Sequence, residues 1–294
     1  MNAFDEMIAA YDCRTVEDKL NAIREVMQQV ALCGLSRSGF FDKAAFYGGT
    51  CLRIFHGLDR FSEDMDFSLL QQNPDFDFTP HFAAIEEEFA SMGQRVSIAL
   101  KKKSKQSAIH SAFLKGDTAQ FNLSLERGRL VNIKLEVDTM PPLQFETENK
   151  LLLLPHSFYS RCFTLPCLFA GKMHALLYRA WKNRVKGRDW YDFEWYVRKG
   201  VKLDFSHFCE RAYQFESAPR DSLDVDSFLA LLRQKIEQVN FSAAAEDVRP
   251  FMRHPEHLEF WSMEYFLQVA GLLRIAESAV QKTAQDAEHV AAEE

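Results

Sequence analysis

The chain has 294 residues, a formal net charge of −7, 47% hydrophobic and 26% charged residues, so it can bury a core and is not a fibre, a disordered tail or a general coat for nucleic acid. Six cysteines at 13, 33, 51, 162, 167 and 209 form no Cys-x-x-Cys pair, which argues against a zinc module and for reduced thiols. No basic start precedes an apolar run, and the longest apolar runs are too short to span a bilayer, so a cytoplasmic protein with no membrane contact is expected.

In chain order, residues 15–35 have helical spacing of Leu20, Ile23, Val26, Met27 and Val30, and Thr15 with Asp18 resembles a capping box. Residues 44–47 form a short apolar run that ends in glycines, as a strand entering a tight turn does, and 50–55 can start a helix. Residues 64–70 alternate, with Met65, Phe67 and Leu69 on one face of a strand. A helix over 79–92 and strands over 96–102 and 109–114 follow. The clearest strand is 130–138: Val131, Ile133, Leu135 and Val137 point one way, Asn132, Lys134, Glu136 and Asp138 the other.

After Pro155 the pattern becomes helical, over 168–181, 188–198, 205–215, 222–239 and 260–276. The polar end from Gln281 reads as a frayed helix or tail. The expected class is α+β: a mixed-sheet core with an N-terminal helix over residues 1–160, then a mostly helical half over 161–294. Phe is abundant, at 26 residues, so the core should be rich in rings. Two basic concentrations stand out, Lys101–Lys105 and the group Arg179, Lys182, Arg184, Lys186 and Arg188.

Chemistry concentrates at a strand, a Gly48-Gly49-Thr50 turn, a short helix, and a strand bearing Asp64 and Asp66. Glycines permit positive φ and close approach of an anion. Free amides at the start of the next helix can bind phosphate oxygens, and the Thr50 hydroxyl can add a donor. Asp64 and Asp66 project from one strand face. Two such carboxylates at ~4 Å repel by about 4 kcal/mol at an effective dielectric of ~20. The pair makes sense around divalent cations, and Mg²⁺ accepts hard oxygen ligands together with substrate phosphates. Glu136 and Asp138 are the candidates for a third carboxylate, and the sequence does not choose between them.

Two stretches resemble a known family. Phe46-Tyr47-Gly48-Gly49-Thr50-Cys51-Leu52-Arg53, followed by Arg60-Phe61-Ser62-Glu63-Asp64-Met65-Asp66-Phe67, is similar to the first motif of AbiEii/AbiGii-type toxins, members of the polymerase-beta-like nucleotidyltransferase superfamily. The run from Ala170 to Arg179, with Lys172, and then Lys186-Gly187-Arg188-Asp189-Trp190-Tyr191-Asp192, resembles that family's helical Lys motif and its Arg-Asp-x-x-Asp. The resemblance spans residues 40–200, and Gly-Gly-Thr stands where many nucleotidyltransferases have Gly-Ser.

It implies transfer of a nucleoside monophosphate from an NTP to an acceptor, with RNA, tRNA included, as the expected one, by the toxin of a type IV toxin–antitoxin or abortive-infection system with a cognate antitoxin. Gly48, Gly49, Thr50, Lys172 and Arg179 would bind the nucleotide. Asp64, Asp66 and Glu136 would hold Mg²⁺, as two ions. Glu136 or Asp138 would activate the acceptor hydroxyl, and Asp189 would position groups around Lys172. Arg53 and Ser62 would support the site, and His174 would be structural. Two other readings are a nucleotidyltransferase acting on a small molecule such as an antibiotic, and a non-catalytic NTP-binding or partner-binding module.

Overall fold

The computed structural model describes residues 2–100, 118–125, 131–179, 185–216, 219 and 222–276. They divide into two compact units: residues 1–164 with 246–258, and 165–245 with 259–294. The expected strand 109–114, the lysines at 101–105, Lys182, Arg184 and the tail from 281 lie outside the described residues.

The first unit opens with α1 (Ala3–Ala9) and α2 (Val16–Arg37). Thr15 caps α2 in a full capping box: its side chain accepts from the Asp18 N–H, and the Asp18 carboxylate accepts from the Thr15 N–H. Then come β1 (Ala44–Tyr47), α3 (Gly48–His56), β2 (Met65–Leu69), α4 (Phe82–Ser91), β3 (Val96–Leu100), β4 (Thr118–Leu125), β5 (Asn132–Asp138), β6 (Thr147–Leu152) and β7 (Phe158–Phe163). The strands make a mixed seven-stranded sheet in the order β3-β4-β5-β2-β1-β7-β6. β1 runs antiparallel to β2 and parallel to β7, and β2 runs parallel to β5.

One sheet face is apolar. Met65, Phe67, Leu69, Ile133, Leu135 and Val137 are all buried, as the alternation predicts. α2 crosses this side of the unit, touching β5 and β7, and packs along α4. The approach of the two helices depends on Gly34, where a Cβ would come within 2.7 Å of the Ile85 Cα. The core is aromatic, with Phe40 edge-to-face against Phe67 at 5.0 Å and Phe78 at 5.3 Å.

The second unit contains α5 (Leu165–Tyr178), α6 (Gly187–Arg198), β8 (Lys202–Leu203), α7 (Phe205–Glu216), α8 (Val225–Gln238), α10 (Met263–Gly271) and β9 (Arg274–Ile275). α9 (Phe241–Val248) runs across the division. Where one helix was expected over 260–276, a 3-10 turn (Glu256–Phe260), a break at Trp261, α10 and β9 stand instead. Ser262 caps α10 and so restarts the helix. Trp190 and Phe241 pack against Phe266 at 5.2 and 4.5 Å. No helix among the described residues is long and apolar enough to cross a membrane.

Candidate active site

β1 ends at Tyr47, and the chain turns at once into α3. Gly48 makes that turn with φ +80°, a conformation that side chains rarely adopt. It also lies against a carboxylate: a Cβ at Gly48 would stand 2.3 Å from Asp66 Oδ2 and 3.0 Å from its Cγ. At Gly49 a Cβ would meet Ser62 Oγ at 2.9 Å and Arg60 Nη2 at 3.0 Å. Both glycines are thus small because groups carried by the next segment press on them.

Thr50 was expected to offer its hydroxyl to a phosphate. Its side chain is fully buried, and the hydroxyl donates to the Asp64 carbonyl. The hydroxyl therefore ties the start of α3 to the lead-in of β2. The first-turn amides of α3 are the donors that a turn of this kind can offer an anion.

The lead-in to Asp64 is held from several sides. Gln28 Nε2, from the buried face of α2, donates to the Ser62 and Glu63 carbonyls at 3.0 and 3.1 Å. Arg60 is 2% exposed and donates to the Phe61 carbonyl at 2.9 Å. Arg53 donates to Glu25 at 2.7 Å and to the Leu58 carbonyl at 3.0 Å, with its guanidinium 4.4 Å over the Phe61 ring. Arg53 is thus a brace of the loop. The sequence motif contained Arg60, but only its burial shows what it supports.

Asp64 and Asp66 are half-buried. In the parallel β2–β5 ladder Asp66 stands beside Glu136, while Asp138 stands beside Ser68. The antiparallel β1–β2 ladder sets Tyr47 beside Asp66, so the Gly48 turn lies at the start of β2. Asp138 is therefore two residues farther than Glu136 from the turn, about 7 Å along the strand. Asp138 is 8% exposed, and its Oδ1 accepts from the Met140 N–H at 3.1 Å, closing a turn before Pro141. Glu136 forms an ion pair with Lys134 on the same strand face. Between the two candidates, register favours Glu136.

The donor chemistry suits Mg²⁺. The two aspartates carry hard oxygens, and a glycine hydrogen stands where a Cβ would strike the Asp66 carboxylate. Among the described residues no three His, Cys, Asp or Glu side chains converge as a complete metal site. The structure therefore does not gather Asp64, Asp66 and Glu136 into the three-ligand set that was expected.

The second unit holds a charged cluster of its own. Lys172 Nζ, on α5, lies 2.6 Å from Asp192 Oδ2 and 3.6 Å from Asp189 Oδ1. Arg179 Nη1 lies 3.9 Å from Asp189 Oδ2. Asp189 sits in the first turn of α6, where the helix dipole favours an anion. It is 3% exposed, and neither oxygen has a hydrogen bond among the described residues. Burial pushes its carboxyl up, but Lys172, Lys186 and Arg179 outweigh burial and hold it below the usual range. Burial pulls the Lys186 ammonium down to about 8, with Asp189 opposing only in part. His174 lies beside the Tyr178 and Phe215 rings, and burial, with Arg211 and Arg179 nearby, holds it well below its usual value. Its Nε2 also lies 3.6 Å from Glu216 Oε1, so the ring sits among both aromatic and charged neighbours.

The model of the nucleotidyl transferase AbiEii toxin family, type IV toxin–antitoxin system, matches residues 30–269, which is more than half of the chain. The chain belongs to the AbiEii nucleotidyltransferase toxin family. No curated protein matches the sequence. Among solved structures, the nucleotidyltransferase toxin MenT4 from Mycobacterium tuberculosis H37Rv is similar at 15% identity and a TM-score of 0.51, over 92% of this chain and 98% of that one. JHP933 from Helicobacter pylori is similar at 14% identity and a TM-score of 0.50, over 93% and 98%. These likenesses bear on the fold: an α+β chain with a mixed sheet followed by a mostly helical half. Family membership carries the enzyme class, nucleotidyltransferase, and with it an NTP as substrate.

Proposed function

We propose that this AbiEii-family chain transfers a nucleoside monophosphate from an NTP to a hydroxyl of RNA, with tRNA as one acceptor and pyrophosphate as the leaving group, and that the turn at Gly48 with Asp64 and Asp66 is its catalytic centre. The carrying observation is the contact at Gly48. A positive-φ glycine at the head of α3 lies directly against the Asp66 carboxylate, so amides for an anion and oxygens for a cation share one corner.

In this reading the α3 amides at Gly49 and Thr50 bind phosphate oxygens of the NTP. Thr50, through the Asp64 carbonyl, fixes the spacing between those amides and the carboxylates. Asp64 and Asp66 would hold Mg²⁺, as one or two ions, which when bound offsets phosphate charge and lowers the pKa of the attacking hydroxyl. Glu136, beside Asp66, takes the proton of the acceptor hydroxyl, after release from Lys134. Within the second unit, the Lys172 ammonium is held by Asp192 and Asp189. An RNA acceptor fits the polar sheet face around Asp66, which also carries Arg161: Tyr47 and Phe163 stack on that face, and Arg161 lies two residues before Phe163. An antitoxin encoded with the toxin follows from the family type.

The test is incubation of the full chain with each labelled NTP, Mg²⁺ and total RNA. Label should enter RNA, and chelation of the metal, Asp64→Asn or Asp66→Asn should each abolish it. Full labelling by either variant refutes the assignment, and label only on small molecules refutes the RNA acceptor.

A further inference from the structure

Among the described residues β6 is the last strand on its side of the sheet. Its register on β7 sets which backbone groups face outward. Glu148 lies opposite Cys162, Lys150 opposite Ser160 and Leu152 opposite Phe158. Two residues before Glu148, the Thr164 N–H donates to the Glu146 carbonyl at 3.1 Å. Bonded and non-bonded pairs alternate along an antiparallel ladder, so Glu148, Lys150 and Leu152 bond to β7. Thr147, Asn149 and Leu151 therefore turn their N–H and C=O groups to the edge. Such an edge is a template for another strand, and apolar side chains there favour pairing. Leu151, Leu153 and Leu154, with Tyr159 opposite Leu151, are all at least half exposed. The charges on the strand are of both signs: Glu148 and Lys150 share one face as an ion pair at 2.9 Å.

A second β6 can add antiparallel about a two-fold axis centred on one of the outward residues, and charge separates the choices. Centring on Thr147 sets Glu148 against the partner's Glu146, and like charges directly opposite are unfavourable. Centring on Leu151 sets Glu148 and Lys150 against leucines and calls for an N–H from Pro155, which has none. Centring on Asn149 sets Glu148 against the partner's Lys150, and Lys150 against the partner's Glu148. These fall at the non-bonded positions of the new ladder, where side chains stand closest. The four charges then alternate in sign around a square, so in this register the edge is complementary to itself.

We propose that β6 is a self-association edge on which a second copy of this chain docks by antiparallel β6–β6 pairing centred on Asn149. The pairing does not depend on the nucleotidyl-transfer reading, but it has a consequence for it. A two-fold axis through such a pair is perpendicular to the sheet, so like faces of the two sheets point the same way. Thr147 lies opposite Phe163, whose ring stacks on Tyr47, the neighbour of Asp66, so the outward residues of β6 share the Asp66 face. The two Asp66 positions would open to one side of the joined sheet, seven strand spacings of about 4.8 Å apart, or roughly 34 Å. The paired segment is short, which places the interface at the small, dissociable end of the range.

Sedimentation of the full chain, from low micromolar to submillimolar concentration, should show a monomer–dimer equilibrium. Glu148→Lys and Lys150→Glu each set like charges opposite one another twice, and each should weaken the dimer about tenfold or more. Mixed in equal amounts, the two variants should pair with one another, because every opposed pair is again of opposite sign. Asn149→Pro should abolish the dimer and keep the monomer fold, checked by its circular dichroism, since the lost N–H faces away from β7. A monomer at every concentration overturns the proposal, and slow amide exchange at Asn149 and Leu151 in that monomer would give the edge to another segment of this chain. A dimer that both charge reversals leave intact, or weakened variants that do not recombine on mixing, overturns the pairing at β6. None of these readouts involves transfer, so the catalytic reading fails or stands separately.

Discussion

Gly48→Ala puts two independent costs on one residue, and the structure supplies a control for one of them. Gly48 and Gly57 both have positive φ, +80° and +74°. An L side chain in that region costs about 1–2 kcal/mol. A Cβ at Gly57, which ends α3, meets nothing within 4 Å, so Gly57→Ala carries the backbone cost alone. A Cβ at Gly48 falls 2.3 Å from Asp66 Oδ2, whereas ordinary contact begins at 3.4 Å, so the carboxylate must retreat by about 1 Å. Displacement on that scale at a reacting centre can lower a rate about a hundredfold. Urea denaturation and labelled-NTP transfer should therefore diverge. Gly57→Ala should lose about 1–2 kcal/mol of stability and keep its transfer rate. Gly48→Ala should lose more stability than that, with transfer down about a hundredfold. The reasoning is refuted if the two variants match in both measurements.

Thr50→Val removes the hydroxyl that the Asp64 carbonyl accepts, at a cost of about 1–3 kcal/mol; Thr50→Ser should recover most of it, and equal melting midpoints for the two would contradict the tie. Lys172→Met removes the ammonium that lies against Asp192, 0% exposed, and Asp189, 3% exposed, and should cost up to about 3–5 kcal/mol. Adding Asp192→Asn should restore part of that loss in the same denaturation experiment, and no restoration would show that the pair is not coupled. Lys186 has a folded value near 8, below its unfolded one, so the unfolded chain holds the extra proton between those values and stability should rise with pH from about 8 toward 10.5. Lys186→Gln should flatten that rise in denaturant midpoints taken across the range, and a rise that persists would assign it to another group. Asp189, held low, contributes stability that is present above the ordinary carboxylate range and fades as pH falls through its depressed value.

Strands with one wet face were legible. Residues 64–70 and 130–138 alternate because one side of the sheet meets the core, and β2 and β5 lie there. β6 and β7 were missed: Leu151 to Leu154 make an unbroken apolar run in which Leu151, Leu153 and Leu154 are all at least half exposed, so no period of two marks a strand. The turn and the aspartate pair were visible as types and spacing. What spacing could not give was direction. The outward hydroxyl expected of Thr50 points inward because Asp64 offers a carbonyl there, and the choice between Glu136 and Asp138 needed the register of β2 against β5. Asp189 was expected around Lys172 from the motif alone; that Asp192, three residues on, lies nearer still to Lys172 took the packing of α5 against α6 to show.

The first unit is not contiguous in the chain, and this bears on the order in which it can be completed during synthesis. Phe61, in the loop that leads to Asp64, donates its N–H to the Phe251 carbonyl at 2.9 Å, and the Arg253 guanidinium lies 5.1 Å over the Phe61 ring and 6.0 Å over Tyr11. A growing polypeptide that has emerged only as far as the end of the sheet has every strand of that sheet yet lacks this backbone partner. The loop that leads to Asp64 gains this support only after most of the helical half has been translated, so partial chains and early truncations carry the aspartates without it.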